Sequence, residues 1–302
     1  MHRLFILVIS ILSAGAVLSQ QEAQYTQYYE NMMYYNPAYA GQNGNFNATL
    51  MHRQQWVGIE GAPMTQALSL HMPLPKYESF GVGLSALNDR VGPLNQTWIN
   101  VDFSYKLRFD NHDGTLSMGL KGGVNLVNGD LAQTQTTQIN DPAFMEAYQN
   151  EGLPNFGAGL FYNHEKVFAG ISVPRIIQYR PGDAELYYRD QRHYYFTVGG
   201  YIDINDNVKF RPSSMFKMTT NAPFALDMTG AFIFNEKFYV GANYRLIESA
   251  GAFVQYQIVD SFRFGYAFDI ATSSIIRHNF GTHELMLTYD IIKNKQTRAR
   301  IK

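Results

Sequence analysis

Thr97-Trp98-Ile99-Asn100-Val101-Asp102-Phe103-Ser104-Tyr105-Lys106-Leu107-Arg108-Phe109 decides the fold class. Thr97, Ile99, Val101, Phe103, Tyr105, Leu107 and Phe109 form one face of an extended chain. Trp98, Asn100, Asp102, Ser104, Lys106 and Arg108 form the other. Side chains alternate across a strand, so a period of two that sorts polar from apolar describes a strand with a different solvent on each face. At thirteen residues the stretch also exceeds the roughly 9–11 that a tilted strand needs to cross a bilayer.

The same sorting recurs along the chain. Phe262, Phe264, Tyr266, Phe268 and Ile270 oppose Arg263, Gly265, Ala267 and Asp269, and Val240, Ala242, Tyr244 and Leu246 oppose Gly241, Asn243 and Arg245. Such segments fall near residues 45–54, 64–73, 79–88, 96–109, 114–124, 154–164, 166–174, 192–204, 207–218, 223–234, 237–247, 250–259, 261–271 and 282–291. The expected fold is therefore all-β: a transmembrane outer-membrane β-barrel of about 14 antiparallel strands.

The connections support a barrel over a sandwich. Residues 110–114, 164–166, 205–207, 235–237 and 260 read as tight turns. Residues 124–153, 175–191 and 272–281 read as long connections, with 89–95 of middle length and 219–222 and 248–249 short. Outer-membrane barrels have short periplasmic turns and longer outer loops, which places both termini in the periplasm. Aromatics near strand ends, at Tyr194 to Phe196, Phe238-Tyr239 and Phe262, suit the girdles at the two lipid interfaces. Pro174 and Pro212 mark strand ends or bulges, and glycines within strands (Gly81, Gly83, Gly157, Gly159, Gly199) leave room in a crowded lumen or mark bends.

Export is read from the first residues. His2 and Arg3 precede an apolar run over residues 4–12 and small residues over 13–19, the pattern of a secretory signal peptide cleaved after Ser19, with Ala16 as the alternative site. The run is short for a spanning helix. The chain has no cysteine, which excludes disulfides and a lipid-modified N-terminus. A net charge of −1 gives no electrostatic support for a nucleic-acid partner. The expected organisation is signal peptide 1–19, an N-terminal periplasmic or luminal segment 20–44, barrel 45–291, and a basic periplasmic tail 292–302 carrying Lys293, Lys295, Arg298, Arg300 and Lys302. Residues 20–44, rich in Tyr, Asn and Gln, have no clean period: they either plug the lumen or lie on the periplasmic rim. In the long connection after the fifth strand, residues 141–149 are expected to form a short helix.

Chemistry is sparse. No spacing of ligands suggests a metal or a cofactor, and no nucleophile elbow or phosphate loop occurs. A barrel-embedded hydrolase would need residues such as Ser69, His71 and Asn100 to converge. The polar faces carry Asp102, Lys106, Arg108, Asp227, Asn243, Arg245, Arg263 and Asp269; their mixed signs suggest pairing across the lumen. The expectation is a protein that is not an enzyme.

An ordered series of short motifs adds a resemblance. Gln24-Tyr25-Thr26-Gln27-Tyr28 and Asn36-Pro37-Ala38-Tyr39-Ala40-Gly41 come first, then Arg53-Gln54-Gln55-Trp56-Val57-Gly58, Gly61-Ala62-Pro63, and Asn88-Asp89 with Gly92-Pro93. Gly170-Ile171-Ser172-Val173-Pro174, Arg211-Pro212-Ser213 with Lys217, Tyr244-Arg245, Gly265-Tyr266 with Asp269, and Gly281-Thr282-His283-Glu284 follow. Together these resemble the PorP/SprF family over essentially the whole mature chain, with Thr282 where Ser is more usual. The resemblance implies an integral outer-membrane barrel of Bacteroidetes, associated with type IX secretion and gliding motility. The implied role is export or surface attachment of proteins with a C-terminal secretion signal, with the secretion machinery or a secreted surface protein as partner. It brings no catalytic residues. A channel for small solutes is the other function a barrel of this kind serves. Asn36, Pro37, Tyr39 and Gly41, with Arg53, Trp56 and Glu60, are the candidate partner or plug contacts: Asn36 before Pro37 is held extended, and the small residues after it fit close to a wall.

Overall fold

The computed structural model describes residues 24–109, 114–130, 147–179, 191–219 and 224–291. Its strands are β1 (Asn47–Gln54), β2 (Met64–Leu74), β3 (Tyr77–Val91), β4 (Leu94–Arg108), β5 (Thr115–Asp130), β6 (Ala147–Asn163), β7 (Val167–Val173), β8 (His193–Gly200), β9 (Ile202–Asn205), β10 (Val208–Thr219), β11 (Ala225–Phe234), β12 (Phe238–Arg245), β13 (Ser249–Val259), β14 (Phe262–Ala271) and β15 (Thr282–Asp290). Neighbours in sequence pair antiparallel, except that β8 and β9 both pair with β10 and not with each other, and β1 pairs with β15, from Asn47 opposite Asp290 to Gln54 opposite His283. The sheet closes on itself, which removes every edge that lipid would leave unpaired.

The barrel has 14 staves, because β8 and β9 are one stave broken at Tyr201. Ser213 of β10 pairs with Gly199 and Phe210 with Ile202, so the register is unchanged across the break. Pro212, opposite Gly200 between those two pairs, has no N–H to donate to this stave. The proline thus marks a local interruption of the ladder.

The alternation read in residues 97–109 gives the two faces of the wall. Val101 is 60% exposed and its neighbour Asp102 is fully buried. Leu120, Phe156 and Ile171 likewise stand more than half exposed on the outside, an apolar band too broad for a protein facing water. Among the described residues no helix is long and apolar enough to cross a membrane; the strands make the crossing.

Several boundaries differ from the sequence reading. The connection expected over residues 89–95 is a two-residue turn at Gly92 and Pro93, since β3 and β4 remain paired up to Val91 opposite Leu94. β5 and β6 extend far into the long connection expected over 124–153, with Asp130 opposite Ala147. Residues 147–149 of the expected helix are therefore strand; 141–146 lie outside the described residues, as do 1–23 and the tail 292–302. Alternation also splits the expected girdle: Tyr194 and Phe196 face outward, but Tyr195 and Tyr239 turn into the lumen, Tyr195 against Tyr35 and Tyr239 beneath Arg263. Arg108 is not a lumen residue. It stands exposed at the turn end of β4 and pairs with Glu78 (3.2 Å).

The interior is not hollow. Tyr25, Tyr28, Met32, Tyr34, Tyr35 and Ala38 are buried against Met51, Leu87, Trp98, Phe161, Phe168, Tyr195, Met215 and Met286 from the wall. Residues 24–46 run through the barrel from the loop-side ends of β1, β14 and β15 to the turn-side start of β1. The described N-terminal end is thus inside the lumen on the loop side.

Candidate functional site: the luminal segment

The local shape of this segment follows from its own residues. A 3-10 turn (Tyr28–Asn31) leads into one helical turn (Met32–Tyr35), closed by Asn36 N on Met32 O (2.8 Å). Asn36 is extended, as the residue before a proline must be, and its Oδ1 accepts from Ala38 N (3.0 Å). Pro37 opens a second 3-10 turn (Pro37–Tyr39), and Gly41 takes the left-handed φ of +70° that turns the chain toward β1. Helices this short do not hold in water alone, so the wall must supply their stability.

Part of the wall is carved for the segment. Gly81 of β3 pairs with Ser104 of β4, Ser104 with Gly119 of β5, Gly119 with Gly159 of β6, and Gly159 with Ser172 of β7. Five adjacent strands thus present a row of Gly, Ser, Gly, Gly and Ser to the lumen, a trough running across the strands. Residues 36–40 lie in it. A Cβ on Gly159 would meet Asn36 Oδ1 at 2.1 Å, and one on Gly81 would meet Ala40 O at 2.2 Å. The serines turn contact into hydrogen bonding: Ser104 Oγ donates to Ala40 O (2.7 Å) and Ser172 Oγ to Tyr35 O (2.8 Å). Asn36 Nδ2 donates to Leu160 O (2.9 Å), Gly41 N to His71 Nδ1 (3.2 Å), and Lys106 Nζ to Gly41 O (3.1 Å).

Away from the trough the seating is electrostatic. Glu30 is the one charged residue between positions 24 and 46. It bridges Arg211 of β10 (3.1 Å) and Arg263 of β14 (2.5 Å), and Arg211 also covers the Tyr29 ring at 4.0 Å. Burial opposes the charge on Glu30, but the two guanidinium groups outweigh it and hold the carboxyl below its ordinary range. Further along, Arg53 joins Asp269 (2.8 Å) and Glu284 (3.1 Å). Glu284 accepts from two successive backbone groups, Thr26 N (2.9 Å) and Gln27 N (3.0 Å), and Thr26 Oγ1 donates to Asp269 Oδ2 (2.5 Å). Lys121 beside Asp102 donates to Met33 O (3.2 Å) and Tyr34 O (3.0 Å). Buried ions are tolerated only when paired, and here the pairing joins the wall to the segment inside it.

A second element folds inward after β7. Arg175 stacks on Trp98 at 4.3 Å, and Asn155 ties down Ile176 and Ile177 through their backbone N–H groups (2.9 and 3.0 Å). Arg192, on the far stem of the same connection, donates to Ile176 O (2.9 and 2.6 Å). Arg175, Trp98, Lys121 and Tyr34 line one small cavity, so this element covers the luminal segment from the loop side.

Of the seven residues singled out from sequence, Asn36, Pro37, Tyr39 and Gly41 share the trough, and Arg53 grips the other end of the segment. Trp56 and Glu60 are apart from them, in the connection after β1: Trp56 is half-buried, its N on Thr282 Oγ1 (3.3 Å), and Glu60 is exposed. Sequence reasoning missed Thr26, Gln27, Glu30 and Glu284 as seating residues. A lone acid in an uncharged, Tyr-rich segment is the signal that could have found Glu30. Ser69 and His71 do not form a catalytic pair: Ser69 Oγ donates to Asn31 Oδ1 (2.7 Å), and His71 Nδ1 accepts from Gly41 N. Among the described residues no group of acids and histidines has the arrangement of a metal site.

Solved structures similar to this chain are bacterial outer-membrane proteins. The outer-membrane protein Omp33 of Acinetobacter baumannii aligns with a TM-score of 0.48 and 11% identity, over 82% of this chain and 100% of that one. The KdgM porin in complex with disordered oligogalacturonate aligns at 0.39 and 8%, over 82% and 99%. CdiB from Acinetobacter baumannii aligns at 0.38 and 7%, over 82% and 60%. No curated protein matches the sequence. The family described as type IX secretion system membrane protein PorP/SprF matches residues 17–289, the whole barrel together with its luminal segment. A closed barrel with an apolar exterior and a match of that extent lead to one assignment: the chain is an integral outer-membrane protein belonging to the PorP/SprF family of the type IX secretion system.

Proposed function

We propose that this barrel works without enzymatic chemistry, supporting export or surface attachment of proteins that carry a C-terminal secretion signal. In an organism that glides, those proteins include the adhesins of gliding. Residues 1–19 act as a signal peptide, and the basic tail 292–302 faces the periplasm, where a partner of the secretion machinery is within reach. The observation that carries the reading is the occupied lumen. A segment with its own ion pairs and a fitted trough suits a scaffold for protein contacts, whereas a solute channel needs an open water-filled path.

Two measurements test this. Deleting the protein and analysing the secreted and surface fractions by mass spectrometry should remove proteins bearing the C-terminal signal: many of them for a core component, a single large surface protein for a dedicated partner. The purified barrel in a planar bilayer should show no steady conductance. An unchanged exoproteome together with steady single-channel conductance would overturn the proposal in favour of a solute channel.

A further inference from the structure

We infer that the cradle formed by Arg53, Asp269 and Glu284 is a peptide-binding site, and that residues 24–27 are its resident, displaceable occupant. The ligand class is an extended polypeptide segment presenting two successive backbone N–H groups, with a hydroxyl side chain on the first residue and a carboxamide on the second. The inference rests on the export reading for the source of that segment, an exported protein.

The chemistry of recognition comes first. Glu284 uses both oxygens on main-chain groups, Oε2 on Thr26 N and Oε1 on Gln27 N, which any residue except proline supplies. Side-chain selection is confined to the Thr26 hydroxyl on Asp269 and the Gln27 carboxamide, which donates to Glu284 Oε1 (3.1 Å) and accepts from Gln255 Nε2 (2.9 Å). Arg53 Nη1 holds both carboxylates and reaches Thr26 Oγ1 (3.2 Å), so the acceptors are fixed by the wall independently of the occupant. The four wall residues come from β1, β13, β14 and β15, at or near the loop-side ends of β1, β14 and β15, where a segment entering from the outer mouth arrives.

The two halves of the luminal segment are also seated differently. Residues 36–40 lie against wall glycines with no space for a single added carbon. Around residues 24–27, buried polar atoms are left without a hydrogen-bond partner among the described residues: Gln24 Oε1, Tyr25 Oη and Asp269 Oδ1. None of the residues bonded to positions 36–42 carries such an atom. Unmet buried groups weaken a seat, so residues 24–27 at the loop-side end are held by contacts a better-matched peptide improves on, while Glu30, paired with Arg211 and Arg263, and the trough stretch stay.

The test uses the full-length barrel in detergent micelles and a fluorescein-labelled heptapeptide with the sequence of residues 24–30. The native protein should bind it weakly, because the resident competes. The Thr26→Ala/Gln27→Ala variant, whose resident is loosened while the wall is intact, should bind roughly tenfold more tightly, since the apparent affinity scales with the fraction of free sites. Adding Glu284→Gln to that variant should abolish the gain, and Asp269→Asn serves instead if the triple variant loses the heat-modifiable gel mobility of a folded barrel. Equal binding by all folded variants, or no binding by the loosened one, overturns the inference. The exoproteome of the deletion strain decides the export reading separately: peptide binding with an unchanged exoproteome leaves the cradle standing and removes the exported protein as its ligand.

Discussion

A Cβ added to Gly119 of β5 would stand 2.1 Å from the backbone nitrogen of Ala38, inside the luminal segment. Neither atom can move alone. Gly119 is held in register with Ser104 on one side and Gly159 on the other, and Ala38 N is bonded to Asn36 Oδ1. The wall glycine is therefore an imprint of the segment that crosses it.

Replacing Gly119 with alanine or valine should unseat residues 36–40 while the strands stay paired. Overpacking of a fitted interior costs about 1–3 kcal/mol, with valine the worse of the two. A lower melting temperature and new conductance in planar bilayers, with normal heat-modifiable gel mobility, is the expected result. Unchanged melting and a closed lumen in Gly119→Val would show that the trough does not hold the segment.

Glu30 and Glu78 make ion pairs of similar length and should differ widely in consequence. Glu30 to Arg211 is 3.1 Å with the side chains 5% and 4% exposed, and Glu78 to Arg108 is 3.2 Å with 72% and 56% exposed. Removing Glu30 leaves Arg211 and Arg263 buried without their counter-charge, a loss of about 3–5 kcal/mol. Removing Glu78 frees one solvated arginine and costs about 0–1 kcal/mol. Denaturant melts of Glu30→Ala and Glu78→Ala in the same detergent compare the two directly, and similar midpoints would mean that distance, not burial, governs these pairs.

Arg175→Ala should loosen the inward element after β7 without opening the barrel. Its stack on Trp98 contributes about 0.5–2 kcal/mol as a cation–π contact, and Asn155 still ties down Ile176 and Ile177. The luminal segment below stays anchored by Lys121 on Met33 O and Tyr34 O. A small drop in melting temperature and no conductance is expected. Conductance in this single variant would make the Arg175 element, rather than residues 24–46, the closure of the lumen.

How much of this was legible in the sequence divides along one physical line. The alternation of residues 97–109 assigned each side chain to lipid or lumen, because a strand's two faces are set by its own chain. Charges such as Asp102, Arg245 and Asp269 were legible as lumen pairs for the same reason. The trough was not, because Gly81, Gly119 and Gly159 form a row only through the register of four adjacent strands, and register is a relation between distant stretches. The placement of residues 20–44 stayed open between plug and rim because the segment has no period. Its partners are single residues on many strands, from Ser69 on β2 to Glu284 on β15. The extension of β5 and β6 was hidden by Asn, Gln and Gly residues that resemble a loop until a partner strand pairs with them.

Replacing residues 36–41 with a Gly/Ser linker of equal length tests whether the seated element matters for export. Such a linker is a flexible coil, so it removes Asn36's bonds to Leu160 O and Ala38 N, the Pro37 turn, and the fit of Ala38 and Ala40 into the trough. The wall keeps all its strand pairing, since none of these residues belongs to a strand. Assembly in the outer membrane and heat-modifiable mobility should therefore persist, with a moderate loss of stability. Export or surface attachment of proteins with the C-terminal signal should fall, because the loop-side half of the segment has lost the anchor that positions it at Arg53, Asp269 and Glu284. Normal export from a correctly assembled linker variant would refute a role for the trough in secretion and leave it as a device of barrel packing alone.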